Sequence, residues 1–164
     1  MIRPAQPGDH PAIVEALQRF WGGVIAVGHG VVYDASTLPA LMSYQDDQLT
    51  GLLTYQLSAE GLEVVTIDAV ERARGVGTAL LEAAVETARA ASARRLWLVT
   101  TNDNLDALRF YQRRGLRITA VAPGAVDRSR LLKPSIPLTG AYGIEIHDEL
   151  TLEMIVSPRE AGCG

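Results

Sequence analysis

The run Arg72-Ala73-Arg74-Gly75-Val76-Gly77-Thr78 joins the β-branched stretch 62–70 to an alanine-rich segment. It constrains the fold more than any other part of the chain. Two glycines one residue apart let the backbone curl closely. A helix that starts there points its first N–H groups into the curl, which makes strand, glycine turn and helix an anion cradle. In isolation the same glycines also suit a plain loop end that admits a close-packed helix. A dinucleotide-binding turn is a third reading, but its third glycine is missing and the strands before it read as antiparallel rather than βαβ.

The hydrophobic pattern supplies the surroundings. Residues 2–5 read as a first strand; Asp9 offers an N-cap and Pro11 suits the first turn of a helix running to about residue 20. Residues 21–34 are loop-rich, with room for a short helix. A meander follows near 37–45, 49–58 and 62–70, with turns at Asp46-Asp47-Gln48 and Ala59-Glu60-Gly61. Strict alternation in its third strand puts Leu62, Val64, Thr66 and Asp68 on one face, and Glu63, Val65, Ile67 and Ala69 on the other. Beyond the glycine turn, Val76, Leu80, Ala83, Ala84, Thr87 and Ala88 recur at helical spacing to about residue 91. Residues 95–100 read as a buried central strand. Residues 104–114 form an amphipathic helix, capped by Asp103 or Asn104 and stopped by Gly115. Stretches 116–121 and 149–156 close the sheet. The long segment 123–147, with Pro123, Pro134 and Pro137, is of a kind that is functional or disordered. Within it, residues 126–134 suit a mobile lid or a solvated turn. The whole reads as one domain over 1–157 with a tail at 158–164.

Composition narrows the function. A chain of 164 residues that is 48% hydrophobic supports a single folded core. There is no run of eighteen apolar residues for a membrane span, and residues 1–4 lack a signal-peptide core. The lone Cys163 excludes an internal disulfide, fits a reducing cytoplasm and reads as a tail residue. The net charge of −4 hides a segregation: residues 1–64 carry two basic and seven acidic side chains, and residues 72–133 carry twelve and five. The basic middle coincides with the glycine turn, as phosphate binding requires. Solvated helix faces account for Arg89 and for some of Arg94, Arg95, Arg113 and Arg114. The overall sign and the absence of aromatic-basic interleaving argue against nucleic acid. Three scattered histidines and a terminal cysteine lack metal-ligand spacing.

A second cluster, Asn102-Asp103-Asn104, Ala107, Phe110-Tyr111 and Gly115, follows the glycine turn by about thirty residues. The order strand, Arg-x-x-Gly-x-Gly, helix, strand, Asn-x-x-Ala-x-x-Phe-Tyr-x-x-x-Gly resembles the GNAT superfamily of N-acetyltransferases. The resemblance is most specific over residues 62–118. It implies an α+β fold whose mixed, mostly antiparallel central sheet is flanked by helices. It implies acetyl-CoA as co-substrate, with Arg72, Ala73, Arg74, Gly75, Val76, Gly77 and Thr78 around the pyrophosphate. Ala69 and Val70 would meet the pantetheine arm, Asn104, Ala107 and Phe110 would complete the cofactor side, and Tyr111 would protonate the departing thiolate. Ala69 departs from the proline that many relatives carry there, which affects the strand end and not the chemistry. Relatives are often dimers, so a homodimer is an expectation by analogy.

An acyl thioester is already activated, so a positioned amine can attack it without a covalent enzyme intermediate. An alkylamine is mostly protonated at neutral pH, and holding it neutral costs about 4–5 kcal/mol. A general base, or a water chain leading to one, is therefore expected. Glu63 and Asp68 on the third meander strand are the candidates; the bland alternatives are a solvent-facing strand start and a cap on the turn. His29, Tyr33 and His147 fall in loops that the resemblance assigns to acceptor binding. The acidic first 64 residues suggest a cationic acceptor, either a small amine or a protein amino group. A non-catalytic acyl-CoA sensor and a transferase of longer acyl chains stay open.

Overall fold

The computed structural model describes residues 1–70, 75–159 and 162. Nine strands and four α-helices lie among them. β1 (Ile2–Pro4) leads through a short turn into α1 (His10–Trp21), which Gly22 ends in a left-handed conformation at φ 79°. β2 (Ile25–Gly28) and β3 (Val31–Asp34) form a separate two-stranded hairpin. β4 (Ala40–Gln45), β5 (Gln48–Ser58) and β6 (Gly61–Ala69) make the meander, and α2 (Val76–Ala90) follows. β7 (Arg95–Thr101), α3 (Leu105–Arg113), β8 (Arg117–Ala122), α4 (Ala125–Leu132) and β9 (Glu149–Ile155) complete the order. The main sheet runs β1-β4-β5-β6-β7-β9-β8 and is antiparallel except where β6 meets β7.

That one parallel junction shapes the molecule. β6 and β7 pair only at Leu62 with Leu96 and at Glu63 with Trp97. β6 then stays with β5 as far as Ala69, while β7 stays with β9 as far as Thr101. The two strands therefore part toward their C-terminal ends and leave a notch inside the sheet. Apolar cores cover both faces. Leu41, Leu53, Leu62, Val64, Leu96, Leu98 and Leu152 pack under Leu80, Leu81, Ala84 and Ala88 of α2. Ala40, Met42 and Leu52 pack under Ile13, Ala16 and Leu17 of α1.

Three expectations change. The strict alternation of β6 fails at Val65, because Thr54 faces Thr66 while the next residue, Tyr55, faces Val64. The unpaired Val65 is a bulge that reverses the faces beyond it. Asp68 pairs with Leu52 of the α1 core, so it shares a face with Glu63 instead of opposing it. Residues 25–34, expected to be loop, pair as a hairpin whose turn residues His29 and Gly30 both have positive φ (41° and 78°), as a tight two-residue turn requires. The segment at 126–134 is no solvated turn: it forms most of α4, which buries Val126 and Ser129. Arg130 of α4 donates to the carbonyls of Ile136, Pro137 and Ile146 at 3.3, 2.7 and 2.6 Å, which folds the rest of the segment around one guanidinium.

The first turn of α1 is fastened by charge and not by a side-chain cap. Asp9 accepts from Arg3 at 2.7 and 2.9 Å and from the Gln6 N–H at 2.7 Å. The Arg3 hydrogen bonds lead, and with the Gln6 bond they hold the carboxyl down to about 2. A depressed folded pKa gives stability that is present above the unfolded value of 3.8 and is lost as pH falls through about 2. Asp9→Asn is expected to lower the thermal midpoint at pH 7, with the difference from wild type closing between pH 3.8 and about 2. Melting curves at three pH values check this; a difference independent of pH would count against it.

Candidate active site

The open end of the notch is where the glycine turn leads into α2. Gly75 stands in the left-handed region at φ 73°, and its carbonyl accepts the first helical bond, from Ala79 N–H at 3.0 Å. The N–H groups of Val76, Gly77 and Thr78 precede that bond, and among the described residues no side chain caps the helix. Arg72, Ala73 and Arg74 lie outside the described residues. α3 follows β7, and its C-terminal half meets the first turn of α2. Phe110 of α3 lies against Gly77, where an added Cβ would come within 3.2 Å of its ring. Arg114, one of four arginines of which the sequence assigned some to solvated faces, joins the two helices. It donates to Thr78 Oγ1 at 2.7 Å and to the Phe110 carbonyl at 2.9 Å, and lies 3.7 Å from the Phe110 ring centroid. A basic group four residues after an aromatic that packs on the glycine turn was the available signal. A charged guanidinium beside uncapped helix N–H groups suits a phosphate.

The remaining cofactor-side candidates border the same opening. Ala69 ends β6 opposite Gly51, and Val70 N–H donates to Thr50 O at 2.8 Å. Asn104 is the exposed N-cap position of α3, with its amide donating to Thr100 Oγ1 at 3.1 Å. Ala107 and Phe110 pack against the α2 core. Tyr111 is buried within that core, its ring 5.4 Å from Phe110 and edge-on to it. Burial, with the Asp68 charge second, pushes its phenol well above the usual range, so the hydroxyl stays protonated at neutral and alkaline pH.

The closed end of the notch holds a polar cluster. Glu63 is only 5% exposed, so the bland reading of a solvent-facing strand start does not apply. Its Oε1 lies 2.7 Å from His29 Nε2, and its Oε2 accepts from Tyr33 OH at 2.7 Å. Both partners come from the hairpin. Gly28 brings that hairpin so close to β7 that an added Cβ would sit 2.8 Å from Val99. The His29 N–H donates to the buried Glu149 of β9 at 2.9 Å, and the His29 ring lies 5.0 Å from Trp97. Burial, and secondarily the Glu63 charge, raises the Glu149 carboxyl against the lowering effect of the His29 bond. Burial and Glu63 likewise raise the Tyr33 phenol. Beside the cluster opens a cleft of about 390 Å³ whose lining includes His29, Tyr33, Glu60, Glu63, Arg95 and Trp97. Asp68 lies five residues further along β6. His147 does not join the cluster, because Asp127 engages its Nδ1 at 2.9 Å.

The sheet is thus split at its parallel junction, with a helix start at the open end and a buried carboxylate at the closed end. The chain belongs to the acetyltransferase (GNAT) family, whose profile matches residues 11–116. It is 40% identical over 136 residues to the uncharacterized protein YxbD of Bacillus subtilis (strain 168), covering 82% of this chain and 86% of that one. Its fold is similar to that of a Bacillus subtilis acetyltransferase solved in complex with CoA, with a TM-score of 0.68 and 17% identity over 95% of this chain and 98% of the other. It is similar also to a GNAT family acetyltransferase from Elizabethkingia anophelis with acetyl-CoA bound, with a TM-score of 0.65 and 20% identity over 94% and 97% of the two chains. No helix among the described residues is long and apolar enough to cross a membrane.

Proposed function

We propose that the protein transfers an acetyl group from acetyl-CoA to the nitrogen of an amine that enters the cleft beside Glu63. The observation that carries this reading is the notch itself. Its β6 edge from Glu63 to Ala69 is about 20 Å long at strand spacing, and α2, whose first N–H groups no described side chain caps, starts six residues on at its N-cap position, Gly75. An extended pantetheine arm laid along that edge, in the manner of an added strand, would put the pyrophosphate at Gly75, Val76, Gly77 and Thr78. The thioester would then lie within the notch, near Tyr111 and the polar cluster. The fold relatives solved with CoA and acetyl-CoA support the choice of ligand. The thioester supplies an activated acyl carbon. The chain's own groups bind and orient it, donate hydrogen bonds to the developing oxyanion, and move two protons. Removal of one donor from such an oxyanion site typically costs roughly 10²–10³ in rate. Tyr111, held neutral by burial, suits protonation of the leaving thiolate. Arg114 and Asn104 extend the cofactor side. Glu60 and Glu63 in the cleft favour an acceptor that arrives as an ammonium ion.

The test is amine-dependent release of CoA from acetyl-CoA, run over a panel of small amines and peptides with free amino groups. Turnover of cationic acceptors is the expected result. Tight acetyl-CoA binding without release of CoA in the presence of any of these amines would replace the enzyme reading with that of a sensor. Turnover confined to neutral or anionic acceptors would overturn the choice of a cationic one.

A further inference from the structure

We propose that His29 is the general base of the transfer, through its Nδ1, and that Glu63 is the positioning residue that fixes the imidazole for that task. The proposal rests on the acetyl-transfer reading above. Glu63 by itself is poorly placed to take a proton from an incoming amine. Its side chain is 7% exposed, and one oxygen faces His29 Nε2 while the other is held by the Tyr33 hydroxyl. His29 is the exposed member of the pair, with 29% of its side chain open, and it lines the cleft.

The hydrogen bonds select the ring's tautomer. A carboxylate accepts hydrogen bonds and donates none, so Glu63 at 2.7 Å from Nε2 selects the tautomer with the hydrogen on Nε2 and the lone pair on Nδ1. Nδ1 has no hydrogen-bond partner among the described residues, whereas Nε2 faces both Glu63 and, at 3.3 Å, the Tyr33 oxygen. This is the logic of a base oriented by a buried acid, with the two ring nitrogens exchanging places relative to the serine-protease arrangement.

The backbone around His29 is built to hold the ring there. His29 has φ 41° in a two-residue turn, a position that favours glycine or asparagine. Histidine there is held in a conformation that favours other residues, and such strain clusters at functional sites. Glu149 fastens the turn to β9 through the His29 N–H at 2.9 Å, and Trp97 supports the ring from β7. The charged and titratable groups facing His29 are Tyr33 of β3, Glu63 of β6 and Glu149 of β9. Arg128 of α4 acts on Glu149 from further out.

The step balances as follows. The amine nitrogen forms a bond to the acyl carbon and becomes positively charged. It passes one proton to Nδ1, giving an imidazolium whose charge faces Glu63. The carbon–sulfur bond breaks, and the thiolate takes a proton from the Tyr111 hydroxyl. His29 then releases its proton to solvent from its exposed edge as Tyr111 is reprotonated. The sum is amide, thiol and, from an acceptor that began as ammonium, one proton released.

His29→Gly tests this, because glycine accepts the same turn geometry. The expected result is a kcat lower by roughly 10²–10³, within the range typical of a lost general base, with acetyl-CoA affinity unchanged. The acidic limb of the kcat/KM profile should disappear, and added imidazole should restore turnover. His29→Gln, which keeps a hydrogen bond to Glu63 without a basic nitrogen, should be as slow. Nitrogen NMR of the wild-type ring should show a protonated Nε2 and a bare Nδ1. An active wild type whose His29→Gly variant keeps its kcat and pH profile overturns the inference alone. A folded, slow His29→Gly variant that imidazole does not restore overturns it as well, as does a protonated Nδ1. A wild type without amine-dependent CoA release overturns the acetyl-transfer reading and this inference with it.

Discussion

Gly61→Ala is expected to destabilise the protein by about 2–6 kcal/mol, out of the roughly 5–15 kcal/mol that holds a domain of this kind together. Gly61 begins β6 at φ 113°, a conformation that L side chains rarely adopt. A Cβ there would press into the carbonyl oxygen of Arg95 and lie 3.1 Å from that residue's carbonyl carbon and Cβ. Backbone strain and overpacking each cost about 1–3 kcal/mol, and neither strand can give way cheaply. β6 is locked to β5 and β7 to β9, while the joint between them consists of two paired positions immediately beyond the glycine. Denaturant titration reads the effect. A loss below 1 kcal/mol would mean that the joint yields, and Glu63, two residues away, would then shift with it.

Tyr111→Phe is expected to lower kcat by about 10²-fold and leave acetyl-CoA affinity nearly intact. Phenylalanine fills the same space in the α2 core and keeps the edge-on contact with Phe110, so the fold loses a hydroxyl and little packing. The loss should appear in kcat rather than in KM for acetyl-CoA, because in the proposed transfer the proton moves only as the thiolate departs. Since burial and Asp68 hold the phenol neutral well into the alkaline range, removing it should leave the acidic side of the kcat/KM profile where it is. Two variants that each slow turnover yet change different features of the pH profile would separate the acid from the base. Unchanged turnover in Tyr111→Phe, with chemistry established as the slow step by a burst experiment, would remove the phenol from the mechanism.

Much of this was legible in the chain. The glycine turn, the helix after it and the spaced Asn104 and Tyr111 carry local signals, namely turn residues at fixed offsets and apolar residues at helical period. The antiparallel meander before them follows from alternation and turn residues, whereas the order β6-β7-β9-β8 beyond it comes from the structure. The features that escaped are those decided by partners far away in sequence. The bulge at Val65 has no glycine to mark it, and it appears only when β6 is laid against Thr54 and Tyr55 of β5. The hairpin at 25–34 did carry a signal, since His29-Gly30 sits between two β-branched runs, but the clustered glycines around it read more simply as loop. The helical segment at 125–132 is held by the bonds of Arg130 to carbonyls up to sixteen residues away. The pairing of His29 with Glu63 spans 34 residues, and that of His29 with Glu149 spans 120. No periodicity encodes either.

The two-position joint between β6 and β7 has a mechanical consequence. The sheet is two plates, β1-β4-β5-β6 and β7-β9-β8, that share a short seam near Glu63 and Trp97. Each plate turns an unpaired backbone edge toward the other across the notch, an arrangement that ordinary sheets avoid in their interiors. A ligand lying along one of those edges and reaching the other would bond to backbone that β6 and β7 leave unmatched with each other, and would brace the two plates. Since His29 is anchored through Glu63 to one plate and through Glu149 to the other, whatever braces the seam also steadies the imidazole.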